Sequence, residues 1–327
     1  MSEASPIVIF AYRRHKHLAR VLRSLSEQSL CRSSRAFVFI DGPKGDTDRQ
    51  DVEEVKRVAE SIWGFSKVSI LAAQSNLGLD RSINEGITKI LKEYEQAIIV
   101  EDDILPLPDF LDFMNEALSR YKEEKSIMQI SGFAYPRRTD HRRHFFLPIT
   151  SCWGWATWRR SWLNHSWDRV VATQELNNPS FVKRMDLEGA YPFSDLLRRV
   201  IDGKGDCWDV IWYWKVMRAG GLTLFPGKSL VENIGWDGSG THGEKEEDSF
   251  GPCSLSMPYG NLSWPNKIHV IPSDLEDVRE CIIQRERKRK ACKGNSGRLV
   301  RALRKLIFRT LKVDGPNPIR DIYEGEK

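Results

Sequence analysis

Short apolar runs alternate with spaced apolar positions over the first 131 residues. Pro6 to Tyr12 (PIVIFAY) is a compact run of β-forming residues, and Leu18, Val21, Leu22 and Leu25 then recur at the i, i+3, i+4, i+7 spacing of one helix face. Ala36 to Ile40 (AFVFI) predicts a second strand ending in Asp41-Gly42, and Val52, Val55, Ala59 and Ile62 a second helix. Lys67 to Leu71 predicts a third strand, and Ile83, Ile87, Ile90 and Leu91 a third helix. Ala97 to Val100 (AIIV) predicts a fourth strand that runs into Glu101-Asp102-Asp103. Phe110, Phe113, Met114, Ala117 and Tyr121 then mark a helix, and Ile127 to Ser131 a strand. Alternation at these lengths predicts βαβ units and an α/β fold with a mostly parallel central sheet. Apolar runs without polar alternation suit strands covered on both faces. Ligands of such sheets gather beyond the carboxyl ends of the strands. That rule singles out Tyr12-Arg13-Arg14, Asp41, Asn76 and the trio 101–103.

The texture changes near Ser151. Ten of the eleven tryptophans lie between Trp153 and Trp264, with glycine and proline as punctuation. This stretch reads as the second half, 132–274, of the domain that 1–131 begins. Residues 275–327 read as an extension: 285–297 is charged and polar, and 298–312 is amphipathic. There Leu299, Val300, Leu303, Leu306, Ile307 and Leu311 share one face, and Arg298, Arg301, Lys305, Arg309 and Lys312 the other.

Charge follows the same division. The chain has a formal net of +5, yet Arg285 to Lys312 alone hold twelve Lys or Arg against one Glu. The body is therefore net acidic, which disfavours nucleic-acid binding, since that needs a basic footprint on the folded domain. A basic amphipathic helix has the composition of an element that lies on an anionic membrane surface. Packing on the chain's own acidic body, or contact with another copy, are the other readings. No run reaches the roughly 18 apolar residues of a membrane span. The N-terminus lacks the order of a signal peptide. The six cysteines are scattered and predict reduced thiols, so a cytoplasmic protein, peripheral to the membrane at most, is expected.

Carboxylates at the end of a strand are what a hard divalent cation takes, leaving positions open for phosphate oxygens. A cation so placed offsets charge on a departing diphosphate. A solvated loop or a helix N-terminal acid cluster is the plain alternative for Glu101-Asp102-Asp103.

In chain order, PIVIFAYRR, NLGLDRSINEGI, the EDD trio, WGWATW, CWDVIWYW and NIGWDGSGTH resemble the N-acetylglucosaminyltransferase I family and related bacterial glycosyltransferases. The likeness covers roughly residues 6–270. It implies the GT-A fold, a Rossmann-like nucleotide-diphospho-sugar transferase fold. It also implies inverting transfer of a sugar from a nucleotide diphosphate donor, a UDP-sugar, to a glycan or lipid-linked glycan acceptor in bacterial surface polysaccharide assembly. In the matching motif the last acid ligates Mn2+ or Mg2+, which falls on Asp103. Glu101 and Asp102 are implied near the ribose and sugar, and Arg14 near the diphosphate or uridine. Asp41 is implied to accept a hydrogen bond from the base, and Asn76, Gly78 and Arg81 to line the nucleotide pocket. Asp209 falls where the family keeps its catalytic base, although an Asp there also serves as a helix cap; Asp206 is the second candidate. His242, closing a glycine-rich loop, is a further metal or diphosphate ligand through a neutral imidazole, or a structural residue. Trp153 and Trp155 shape a pocket or fill the core.

Three other functions compete. A nucleotidyltransferase would show a glycine-rich basic loop after the first strand, and AYRRHKH has no glycine. A phosphatase of the haloacid dehalogenase type needs acids two apart, which Asp41-Gly42-Pro43 does not supply. A non-catalytic carbohydrate-binding relative would have no use for Asp103, Asp209 and His242 together.

Overall fold

The computed structural model describes residues 4–138, 143–205, 207–238 and 262–290. The alternation of the first half is present as β1 (Ile7–Ala11), α1 (His15–Ser26), β2 (Arg35–Ile40), α2 (Asp46–Glu60), β3 (Lys67–Ala72), α3 (Leu79–Glu93) and β4 (Gln96–Glu101). The helix faces read from the sequence are the buried ones: Leu18, Val21, Leu22 and Leu25 on α1, Val52, Val55 and Ala59 on α2, and Ile83, Ile87, Ile90 and Leu91 on α3. Each large aliphatic side chain removed from water in this way contributes about 1.5–3 kcal/mol. The strands β1, β2 and β3 lie side by side in parallel, and β4 pairs in parallel with the other edge of β1. The chain thus travels outward from β1 on one side and returns to its other side.

After β4 come β5 (Ile104–Pro106), α4 (Phe110–Arg120), β6 (Ile127–Ser131), β7 (Phe145–Leu147) and β8 (Trp155–Trp158). Four short helices follow: α5 (Arg159–Trp162), α6 (Arg169–Glu175), α7 (Pro179–Met185) and α8 (Phe193–Ile201). Then come α9 (Trp208–Arg218), β9 (Leu222–Phe225) and β10 (Val231–Asn233). The main sheet has the order β3-β2-β1-β4-β8-β6-β9-β7. Six of its strands point one way, while β8 and β7 run against them. The α/β class and mostly parallel sheet expected from the pattern are therefore present, with two reversed strands that the pattern did not show. The reversed β8 is WATW of the tryptophan-rich half, buried along its whole length between β4 and β6.

Alternation along β1 divides the core into two layers. Ile7, Ile9 and Ala11 face the cluster built on α1, α2 and α4. Val8 and Phe10 face α3 together with Trp155, Trp208 and Trp212. A third cluster gathers Phe145, Leu147 and Phe225 with α6 to α9 and with Val278 and Ile282 of the helical residues 272–283. That last segment is locked in place by Asp274, which pairs at 2.8 Å with both Arg137 and Arg143.

The chain divides into a unit Met1–Ile283 and a unit Gln284–Lys327. The second is described at residues 284–290, which are helical. The amphipathic stretch 298–312 lies outside the described residues. Among the described residues no helix is long and apolar enough to cross a membrane.

Candidate active site at the carboxyl ends of the first and fourth strands

A crevice opens where neighbouring parallel strands send their connections in opposite directions, and in α/β sheets ligands bind there. In this sheet the place is the pair β1 and β4. The chain leaves β1 through Tyr12-Arg13-Arg14 into α1, and leaves β4 through the acidic trio into β5. The Arg14 guanidinium, positioned as the residue before α1, bridges the two exits. Its Nη1 donates to Asp103 Oδ2 at 2.9 Å, and its Nη2 donates to Asp102 Oδ1. The other Asp102 oxygen accepts the Tyr12 backbone N–H at 3.4 Å.

Electrostatics follow from this crowding. Asp102 is buried, and burial pushes its carboxyl up to about 6 against the opposing pull of Arg14. Glu101 is also raised, by burial first and then by the charges of Asp103, Asp102 and Asp209. One guanidinium against several carboxylates leaves negative charge in a poorly solvated place, a setting that favours a cation.

Asp209 sits in the first turn of α9, where its Oδ1 accepts its neighbour's N–H from Val210 at 3.0 Å. The Cys207 thiol hydrogen-bonds to it, and burial together with the Asp209 charge raises that thiol to about 12. Burial likewise raises Cys152, which also feels the charges of Asp209 and Glu101. Asp209, Glu101, Cys152 and Cys207 therefore converge. The cap of α9 comes from elsewhere in the chain: Asp80 of α3 accepts the Trp208 N–H at 2.9 Å.

Asp41, at the end of β2, organises the next loop. Its Oδ1 accepts from Leu77 N at 2.7 Å and Gly42 N at 2.9 Å; its Oδ2 accepts from Asn76 Nδ2 at 2.9 Å and Gly78 N at 3.1 Å. These four bonds match the lone pairs of a carboxylate. Gly78 stands at φ 81°, a left-handed conformation that suits glycine, and starts α3. Asp41, Asn76 and Gly78 thus form one unit. Arg81 is not drawn into it: it lies on the exposed side of α3 and pairs with Glu85 at 2.6 Å.

The two tryptophans of the motif separate. Trp155 is 0% exposed and packs against Trp162, Trp208 and Trp212 at centroid distances of 6.0, 5.8 and 5.8 Å. Its surface is core. Trp153 is half-buried and meets the Trp236 ring edge-on at 6.3 Å. His242 and Asp206 lie outside the described residues.

The donors at Asp102 and Asp103 are hard oxygens, the chemistry that magnesium and manganese prefer. Among the described residues no group of three or more His, Cys, Asp or Glu is arranged around a common metal position. The residues fit a cation held by one or two carboxylates, with water and phosphate oxygens completing its shell, and the Asp103 side chain, 19% exposed, is more accessible than that of Asp102 at 4%. Two features here escaped the sequence pattern. One is the cap from Asp80, which spans the chain. The other is the approach of residues 233–235 to Asp103, where Ile234 N donates to Asp103 O at 2.8 Å. Both lie inside stretches that carry the family resemblance, NLGLDRSINEGI and NIGWDGSGTH.

No protein family matches the chain, and no curated protein matches it. Among solved structures it is similar to the mannosyltransferase PcManGT from Pyrobaculum calidifontis in complex with GDP-Man and Mn2+, at 13% identity over 67% of this chain and 75% of that one, with a TM-score of 0.39. It is also similar to a cytidylyltransferase from Leptospira borgpetersenii serovar Hardjo-bovis, at 14% identity over 50% of this chain and 63% of that one, with a TM-score of 0.30.

Proposed function

We propose that this chain is a metal-dependent, inverting glycosyltransferase of the GT-A type. It moves a sugar from a nucleotide diphosphate donor, a UDP-sugar, to a hydroxyl of a glycan or lipid-linked glycan in bacterial surface polysaccharide assembly. The observation that carries the reading is the meeting of Arg14 with Asp102 and Asp103 at the β1/β4 crevice, with the Asp209 charge close enough to act on Glu101.

The roles follow from position. Asn76 to Gly78, shaped by Asp41, form a wall for the nucleoside. With its four acceptances already made, Asp41 acts on the base through that loop. Arg14, bridging both strand exits, offers its guanidinium to the diphosphate. Asp103 holds Mn2+ or Mg2+, and the bound cation supplies charge compensation for the leaving diphosphate. Asp209 takes the proton of the acceptor hydroxyl while the hydroxyl's oxygen bonds to the anomeric carbon and the bond from that carbon to the diphosphate breaks. Trp153 is the aromatic face available to a sugar. His242 is assigned to the diphosphate end. The basic extension holds the enzyme at the inner face of an anionic membrane, where lipid-linked acceptors are.

The test is donor hydrolysis and binding across UDP-, GDP-, TDP- and CMP-sugars, with and without Mn2+. One donor class should bind and hydrolyse only with the metal. Asp209→Asn should retain that binding and lose transfer by about 100-fold or more. Failure of every donor to bind in Mn2+ sinks the transferase reading; transfer by Asp209→Asn near the parent rate removes the base.

A further inference from the structure

The strand β10 leaves the sheet core beside the site. It pairs antiparallel with β5, setting Asn233 opposite Ile104, the residue after Asp103. The chain then crosses the acidic trio. Ile234 N donates to Asp103 O at 2.8 Å, and Gly235 N donates to Asn233 Oδ1 at 2.8 Å. On the far side, His17 of α1 closes the crossing: its Nε2 is 3.2 Å from Ile234 O and 3.3 Å from Asp237 Oδ2. Both partners are acceptors, so Nε2 carries the hydrogen.

Gly235 lies against the carboxylate itself. A Cβ at this position would overlap Asp103 Oδ2 and would stand 3.0 Å from Asp103 Cβ and 3.1 Å from its Cγ. The overlap is with the carboxylate's own oxygen, while Cβ and Cγ need to give by only a few tenths of an ångström, so a side chain at 235 is accommodated by turning the Asp103 carboxylate. Gly235 is not among the left-handed glycines, so its backbone is open to alanine and only the contact forbids one. The strap cannot retreat either, because the Ile234 and His17 bonds hold its backbone from both sides. On the opposite flank Arg14 Nη1 holds the same Oδ2 at 2.9 Å. The carboxylate is thus gripped between a guanidinium and a bare Cα.

We infer that residues 233–237 are a strap that fixes the Asp103 carboxylate, with Gly235 as its point of contact and His17 as its anchor, and that these two positioning residues set how tightly a divalent cation binds there. The inference rests on the reading of Asp103 as the metal ligand. Neither residue touches the cation; each acts through Asp103. Partners of that kind alter metal affinity by about 10–100-fold when removed.

The experiment titrates the full chain with Mn2+, alone and with UDP, and follows the free-ion signal by electron paramagnetic resonance, with Asp103→Ala as the non-binding reference. Gly235→Ala should weaken Mn2+ binding about 10–100-fold at a nearly unchanged melting temperature. His17→Ala should weaken it about tenfold, and His17→Gln, which keeps an N–H at the same reach, should bind nearly as the parent does. Parental Mn2+ affinity in Gly235→Ala overturns the inference, as does parental affinity in His17→Ala. Should Gly235→Ala fail to fold, the His17 pair decides alone. A parent chain that binds no Mn2+ in either condition fails at the metal reading itself, whereas a parent that binds beside unmoved variants fails only at the strap.

Discussion

A single imidazole shows how burial alone fixes a protonation state in this chain. His144 is fully buried beside Phe113 and Trp264, at ring distances of 5.0 and 4.5 Å, and its Nδ1 accepts the Gly227 N–H at 3.2 Å. Burial, reinforced by the charges of Arg120 and Arg137, lowers it to about 3. The folded protein therefore keeps His144 neutral over a range in which the unfolded chain, with an ordinary value near 6.5, takes up a proton. Between those two values the unfolded state binds more protons, so stability rises with pH there and is lost as pH falls from about 6.5 toward 3, at about 1.4 kcal/mol per pH unit from this site. Urea unfolding at pH 7 and pH 4.5 should show His144→Gln losing about 2.5 kcal/mol less than the parent across that interval. Equal losses in the two proteins would remove His144 from the acid response. At the same scale, the carboxylates of the site were legible unevenly. Glu101 to Asp103 and Asp41 stood out because each ends a strongly apolar strand. What each one touches did not stand out, since the Asp41 bonds to residues 76–78 and the Arg14 bridge across 88 positions are products of tertiary folding. Trp155 shows the converse: its motif stood out, and the residue is core.

Among the elements, local pattern carried β1 to β4 and α1 to α3, where one strand and one amphipathic helix alternate and each helix buries the face its spacing marks. It did not carry β7, β8 and β9. These are three or four residues long and two of them run against their neighbours, so their identity lies in long-range pairing such as Ala97 with Thr157 and Leu147 with Thr223. β7 is further held by ions. Arg137 leads toward it, lies over the Phe145 ring at 3.6 Å, and forms a fully buried pair with Asp274, which also receives Arg143. Removing one member of a buried pair leaves an uncompensated charge and costs about 3–5 kcal/mol. Asp274→Ala strands two guanidinium groups and should show that loss in urea unfolding. A loss under about 1 kcal/mol would mean that apolar packing through Val278 and Ile282 holds this segment without the ions.

For the whole molecule the telling quantity is the separation of charge, an acidic body followed by a stretch with twelve cations and one Glu. Spread evenly, a net of +5 would say little; the cations gathered in residues 285–312 are what the proposed membrane contact rests on. Near an anionic leaflet each Lys or Arg contributes about 1 kcal/mol, so on the proposed reading even half of these cations would offset the cost of holding the chain at the bilayer. Attraction of this kind is screened within a Debye length of about 8 Å at physiological ionic strength and about 3 Å at 1 M salt. The full chain should therefore sediment with vesicles rich in anionic lipid, stay in solution with neutral vesicles, and be released as salt rises toward 1 M. A chain ending at Ile283, the close of the first unit, should melt at the parent temperature and stay in solution with both vesicle types. Binding that survived high salt in the full chain would point to apolar insertion by Leu299, Leu303 and Ile307 rather than to charge, and binding that survived the truncation would place the membrane contact on the acidic body, where electrostatics oppose it.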